Sequence, residues 1–214
     1  MSAKDTILRR IHTALRDVPP AERPEDVRVA RDYRLTDDAP RAEIVQQFAE
    51  RVAEYKAAVR VVREADLVAT IAAALRARGI SRLVVPAGLP EAWLPPDITP
   101  LRDTPPLSHT QLDTSEGVIT SCALGIAQTG TIVLDHGLGQ GRRALSLLPD
   151  YHLCIVRAAQ VIGLVPEAIG MLDEAAHAGR PLTFISGPSA TSDIELNRVE
   201  GVHGPRTLEV IVIV

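Results

Sequence analysis

The chain has 214 residues, 46% hydrophobic and 23% charged, a balance that supports a packed core and excludes wholesale disorder. That length suits one α/β domain with an extension, because single cores of up to roughly 250 residues are ordinary. The net charge is −4 with both signs interspersed, which leaves no electrostatic footprint for a nucleic acid partner.

The stretch from Met1 to Asp17 alternates charges with short apolar runs, so no signal peptide and no membrane span are expected and the protein reads as cytoplasmic. Ser2 to Asp5 fits a capping box, and Ile7, Leu8, Ile11 and Leu15 follow at helical spacing, which predicts a short opening helix. From Val18 to Pro40 the chain is polar, with Pro19, Pro20, Pro24 and Pro40, and reads as an extended connection. We therefore expect an N-terminal helix and linker over 1–38 and a main domain over 39–214.

Ile44, Val45, Phe48, Val52 and Tyr55 share one face of a predicted helix between Arg41 and Lys56. Val59 to Val62 is β-branched except at Arg60 and predicts a strand. Asp66 is placed to cap a helix whose Leu67, Ile71, Ala74 and Leu75 face inward, Gly79 is placed to end it, and Leu83 to Val85 predicts a second, buried strand. A strand, helix and strand in that order imply a parallel sheet and an α/β fold. Pro86 to Pro106 is proline-rich and reads as an ordered loop anchored by Trp93.

The second half predicts strands at Gly117–Thr120, Ala123–Ala127, Thr131–Leu134, His152–Val156, Leu182–Ile185 and Leu208–Ile213, with a helix between Val165 and Ala178. Gly130 supplies the positive φ for a hairpin across Gln128–Thr129–Gly130. The expected fold is thus α/β with a mixed sheet flanked by helices, the hairpin strands lying beside the parallel ones.

Chemistry concentrates in the loops. Thr129, Gly130 and Thr131 read either as a plain hairpin turn or as hydroxyl and amide donors for an anionic oxygen. Gly139, Gly141 and Ala144 satisfy a dinucleotide fingerprint, but no acid stands at the end of the next strand, about 20 residues on, where a ribose hydroxyl would need one. The same loop carries Arg142 and Arg143, which would hold a carboxylate or phosphate by charge-assisted hydrogen bonds, or else form a solvated turn. Ser186, Gly187, Ser189, Thr191 and Asp193 lie between a strand and a predicted helix through Ile194 and Glu195, a junction that gathers amides and hydroxyls and suits an anion.

His152, His203, Asp193 and Glu195 are the candidates for acid–base work, each also readable as structural. No metal-ligand spacing appears among the six histidines, and no G-x-S-x-G elbow is present. Cys122 and Cys154 are the only thiols, read as small buried hydrophobes and too few for the four-cysteine set of an iron–sulfur cluster.

Taken in order, Ala127-Gln-Thr-Gly-Thr131-Ile-Val-Leu134, Gly141-Arg-Arg-Ala-Leu-Ser146, Leu148-Pro-Asp-Tyr-His152, Ser186-Gly-Pro-Ser189-x-x-x-Asp193-Ile-Glu195 and Gly201-Val-His-Gly-Pro205 resemble the signature blocks of the LutC/YkgG family of LUD-domain proteins. The resemblance runs from about Ala39 to Val214. It implies a fold similar to the NagB/RpiA/CoA-transferase group and a part in bacterial L-lactate oxidation to pyruvate beside iron–sulfur partner proteins, with no cofactor in this chain. Relatives commonly carry an acid where this chain has Gln128, so a mechanism needing a carboxylate there does not carry over. Two readings stay open: a non-redox subunit binding a small carboxylate or phosphate, or a stand-alone transferase, isomerase or ligase for a phosphorylated, folate-like or CoA-linked anion. A homo-oligomer is compatible with either.

Overall fold

The computed structural model describes residues 2–191 and 199–214 apart from Pro20, Val27, Arg31 and Val202. It divides into two units, Met1–Tyr33 and Arg34–Val214. In the first, helix α1 (Ala3–Ala14) carries the expected capping box, with Ser2 Oγ accepting from Asp5 N and the Asp5 carboxylate accepting from Ser2 N.

The second unit runs in the order α2 (Arg41–Glu54), β1 (Ala58–Val62), α3 (Leu67–Ala77), β2 (Arg82–Val85), β3 (Thr99–Arg102), α4 (His109–Asp113), β4 (Val118–Thr120), β5 (Leu124–Ile126) and β6 (Thr131–Leu134). It continues through β7 (Tyr151–Arg157), β8 (Val161–Ile162), α5 (Val165–Met171), α6 (Asp173–His177), β9 (Thr183–Ile185), β10 (Ala190–Thr191), β11 (Val199–Glu200) and β12 (Thr207–Ile213).

Six strands form one parallel sheet in the order β1-β12-β7-β4-β2-β3. The expectation of a single mixed sheet is corrected here. The hairpin strands β5 and β6 leave the parallel sheet and build a second one, ordered β8-β5-β6-β9, in which β5 and β8 run parallel and the other pairs antiparallel. Both of its faces are needed. Ile132 and Leu134 turn toward a core shared with α2, β7 and β12, while Leu124, Ile126 and Val133 turn toward α5, the period-two alternation of a strand buried on two sides.

Helix α2 buries Ile44, Val45, Phe48 and Val52, the face read from its periodicity, although Tyr55 lies beyond its end and is exposed. Helix α3 buries Leu67, Ile71, Ala74 and Leu75 and closes as expected at Gly79, whose φ is +68°. There Ile80 N donates to Leu75 O at 3.0 Å and Gly79 N to Arg76 O at 3.1 Å, so two end carbonyls are satisfied. Asp66 does not cap this helix through its side chain; its carboxylate receives Arg63 Nε at 2.9 Å instead.

Strand β3 lies inside the stretch read as a loop. It contains Pro100, which a sheet tolerates at an edge, where one side of the strand needs no donor, and β3 is the edge strand beside β2. The predicted helix from Val165 to Ala178 is two helices meeting at Leu172. The predicted helix through Ile194 and Glu195 lies outside the described residues. No described helix is long and apolar enough to cross a membrane.

Candidate functional site

A cleft of about 210 Å³ opens where β9 ends and where β7 and β12 begin. Its walls come from three segments: Arg143 and Ser146 before β7, Ser186 to Ser189 after β9, and His203 to Pro205 before β12. His152 and Leu208, each the second residue of its strand, line it from the sheet side. In the parallel sheet the cleft therefore sits at the amino ends of two central strands, not at the carboxyl ends where open α/β folds usually gather ligands.

The local chain explains how the walls hold. Gly187 has φ +82°, and a Cβ there would meet Tyr55 O and Cβ at 2.7 Å, so the turn after β9 needs glycine on both counts. Ser189 N donates to Pro205 O at 2.8 Å, Gly201 N donates to Ser189 O at 3.0 Å, and His203 N donates to Ser189 Oγ at 3.0 Å. These bonds fasten the second wall to the third. Ser186 Oγ bonds Thr131 Oγ1 at 2.7 Å, which in turn bonds Thr129 Oγ1 at 2.7 Å.

The sequence candidates thus separate. Arg143, Ser186, Gly187, Ser189, His152 and His203 meet in the cleft. Thr129, Gly130 and Thr131 stand behind it: Thr131 reaches Ser186, and Gly130, at φ +58°, packs so closely that a Cβ would lie 2.6 Å from the Arg51 carbonyl carbon. Gln128 faces α5, where its Oε1 accepts from Val165 N at 3.5 Å. Gly139 is turned toward the loop after β2, its N donating to Ala87 O at 2.9 Å, and Gly141 packs on Pro86 and Leu145.

Arg142 does not line the cleft: its Nε and Nη2 grip the two Asp103 oxygens at 2.9 and 3.0 Å, and Nη2 also donates to Leu107 O. Spent on this bidentate pair, it faces a different depression beside His136. Thr191 belongs to the short β10–β11 ladder, and Asp193 and Glu195 lie outside the described residues.

Several lining residues went unnoticed in the sequence. Ser146 and Gly204 stand within the quoted family blocks, and Phe184, Ile185 and Leu208 within predicted strands, but nothing local distinguished them. Thr120 was hidden altogether. Fully buried on β4, it holds His152 Nε2 at 2.7 Å.

His152 is 1% exposed, and burial pushes its pKa down to about 4, so the cleft presents a neutral imidazole at pH 7. Arg143 has one described side-chain partner, Ser146 Oγ at 3.3 Å, and no carboxylate stands among the described lining residues. The cleft is thus lined by one guanidinium and by the hydroxyls of Ser146, Thr183, Ser186 and Ser189. Cys122 and Cys154 are both free and buried in the core; a hydrogen bond with Cys154, and then burial, push the Cys122 thiol well up, which keeps it protonated at neutral pH. Among the described residues no three His, Cys, Asp or Glu side chains gather to hold a metal ion.

The chain is 53% identical over 173 residues to lactate utilization protein C of Deinococcus radiodurans, a match that covers 81% of each protein. It belongs to the LutC/YkgG family of LUD-domain proteins. The LUD domain model itself matches residues 108–213, which include every described residue that lines the cleft. YkgG of Escherichia coli is 42% identical over 85 residues, 38% of this chain and 36% of that protein. The crystal structure of a DUF162 family protein from Deinococcus radiodurans aligns with a TM-score of 0.73 at 46% identity, covering 82% of this chain and 99% of that one.

One prediction concerns acid stability of the LUD domain. The pKa of His152 is depressed in the folded state, so its contribution is fully present above the unfolded value near 6.5 and is lost as pH falls toward 4. Between pH 7 and pH 5 this group alone is expected to remove about 2 kcal/mol. Urea unfolding of wild type and His152→Gln at both pH values checks it: the variant should lose less on acidification, and an identical decline in both would refute the assignment.

Proposed function

We propose that this chain is the non-redox component of an L-lactate oxidation system, working with iron–sulfur partner proteins and binding a small organic anion in the cleft beside Arg143. The observation that carries the binding half is one guanidinium, with no described carboxylate partner, lining the same cleft as the hydroxyls of Ser186 and Ser189. Lactate utilization protein C of Deinococcus radiodurans supports the pathway half through its name and 53% identity. The parallel sheet with appended helices supports a fold of the NagB/RpiA/CoA-transferase kind. That resemblance does not assign a transferase reaction, because chemistry resides in sites and not in folds.

Removing hydride or electrons from a hydroxy acid needs a redox cofactor. We place that cofactor in the partners, since two buried thiols do not make a cluster site. A CoA-linked or folate-like substrate is the competing reading. A cleft of about 210 Å³ speaks against it, being smaller than the roughly 300–1,000 Å³ of pockets that enclose drug-sized ligands.

The test is reconstitution of lactate oxidation with an artificial electron acceptor. The isolated chain, colourless after anaerobic treatment with iron and sulfide, should be inert, and its addition should raise the activity of the partners. Arg143→Ala should lower that gain by about tenfold or more, the loss typical of a charge-assisted hydrogen bond. Dye reduction by the chain alone, or full partner activity without it, would overturn the proposal.

A further inference from the structure

No residue of helix α1 is buried, although the helix carries an apolar stripe. Ile7, Ile11 and Leu15 recur four positions apart, Leu8 widens the row, and each of the four is between 43% and 58% exposed. The capping box that opens the helix is complete. Twelve residues nevertheless make a helix that is marginal in water, so its stability comes from whatever the stripe covers.

The segment is also basic. Lys4, Arg9, Arg10 and Arg16 stand against Asp5 and Asp17 over residues 2–17, a net of +2, in a chain whose net charge is −4. The polar stretch from Val18 to Pro40, with Pro19, Pro20, Pro24 and Pro40, separates it in sequence from the LUD domain.

We propose that α1 is an interfacial anchor that lies flat on an anionic lipid surface, with Ile7, Leu8, Ile11 and Leu15 set into the headgroup boundary and Lys4 and Arg10 on the phosphates. No described helix is long and apolar enough to cross a bilayer, whereas a short helix with an apolar stripe and arginines on its polar side suits the surface. The anchor makes no demand on what binds in the cleft.

Two features favour lipid over a protein partner. Lys4 stands one turn before Leu8, within the stripe itself. In a groove between helices its ammonium would be buried among apolar side chains, but at a bilayer its stem joins the stripe and the charge reaches the phosphates. A second copy of the helix is excluded by charge: two segments of +2 repel, while an anionic leaflet attracts each of them.

Sedimentation of the full chain with vesicles of phosphatidylglycerol and of phosphatidylcholine tests this. Binding to the anionic vesicles should exceed binding to the zwitterionic ones by more than about tenfold, and added salt should weaken it. Lys4→Gln and Arg10→Gln should each cost about fivefold at low salt, the share of one basic residue at such a surface. Ile11→Asp should abolish binding and Ile11→Leu should retain it, because the stripe acts through apolar area. All four variants should keep the urea unfolding of the wild type, since none of these positions is buried. Binding to neither vesicle, or equal binding to both, would overturn the anchor. So would a mass by light scattering that doubles with concentration, or capture by the purified iron–sulfur partners, where Ile11→Asp removed it and vesicles bound nothing; the stripe would then belong to a second copy or to a protein groove.

Discussion

Replacing Arg60 and Arg78 together with Ala is expected to cost about 3–5 kcal/mol of folding stability, the range seen when a buried charge loses its partners. Glu209 is the reason. It sits on β12 in the middle of the parallel sheet, its side chain 2% exposed, and it pairs with Arg60 from β1 and with Arg78 Nε at 3.2 Å from the end of α3. Tyr151 on the neighbouring β7 donates its hydroxyl to Glu209 Oε2 at 3.1 Å, and burial pushes that phenol up to about 12, so the proton stays available.

The two sides of this cluster are unequal. Arg60 is 42% and Arg78 35% exposed, so either guanidinium can return to water if the carboxylate is removed, whereas Glu209 has nowhere to go. Glu209→Gln should therefore cost clearly less than the double arginine variant. Adding Glu209→Leu to the double variant should recover most of the loss, because a hydrophobic side chain of similar volume makes no demand for a partner. Urea denaturation with unchanged slope reads all three. Equal costs for Glu209→Gln and the arginine pair, or no recovery with Leu, would show that the cluster does not work through a stranded carboxylate.

Phe48→Ala should be of similar severity, about 3–5 kcal/mol for a fully buried phenyl ring. Phe48 is 0% exposed and joins α2 to the core between the two sheets. The fit is specific. Its ring lies over Gly125 of β5, where a Cβ would stand 2.8 Å from Phe48 Cε2, so the missing side chain on the strand is the space the ring occupies. Removal leaves a cavity that a hydrogen-bonded hairpin strand cannot collapse into, while Phe48→Leu, which keeps most of the volume, should cost less than about 1.5 kcal/mol. The same unfolding series measures both, and an Ala variant within about 1 kcal/mol of wild type would mean that the layer relaxes around the void, contrary to the packing described.

Much of this molecule was legible before folding was considered. The inward faces of α2 and α3, the closure of α3 at Gly79 and the hairpin at Gly130 follow from periodicity and from the positive φ that glycine permits, which are properties of neighbouring residues. The family blocks likewise marked Arg143, Ser186 to Ser189 and His203 as a group, and the folded chain brings them into one cleft. Tertiary structure decided the rest. Which of two adjacent arginines faces the cleft depends on Asp103, 39 positions away from Arg142. Whether His152 is neutral depends on burial that no strand pattern encodes, and whether Pro100 joins a sheet depends on β3 lying at an edge. The partition into two sheets and the burial of Glu209 among Arg60, Arg78 and Tyr151 have the same origin. Local signals report what a segment favours by itself, but charge state, pairing and exposure are set by groups that only the folded chain brings within a few ångströms.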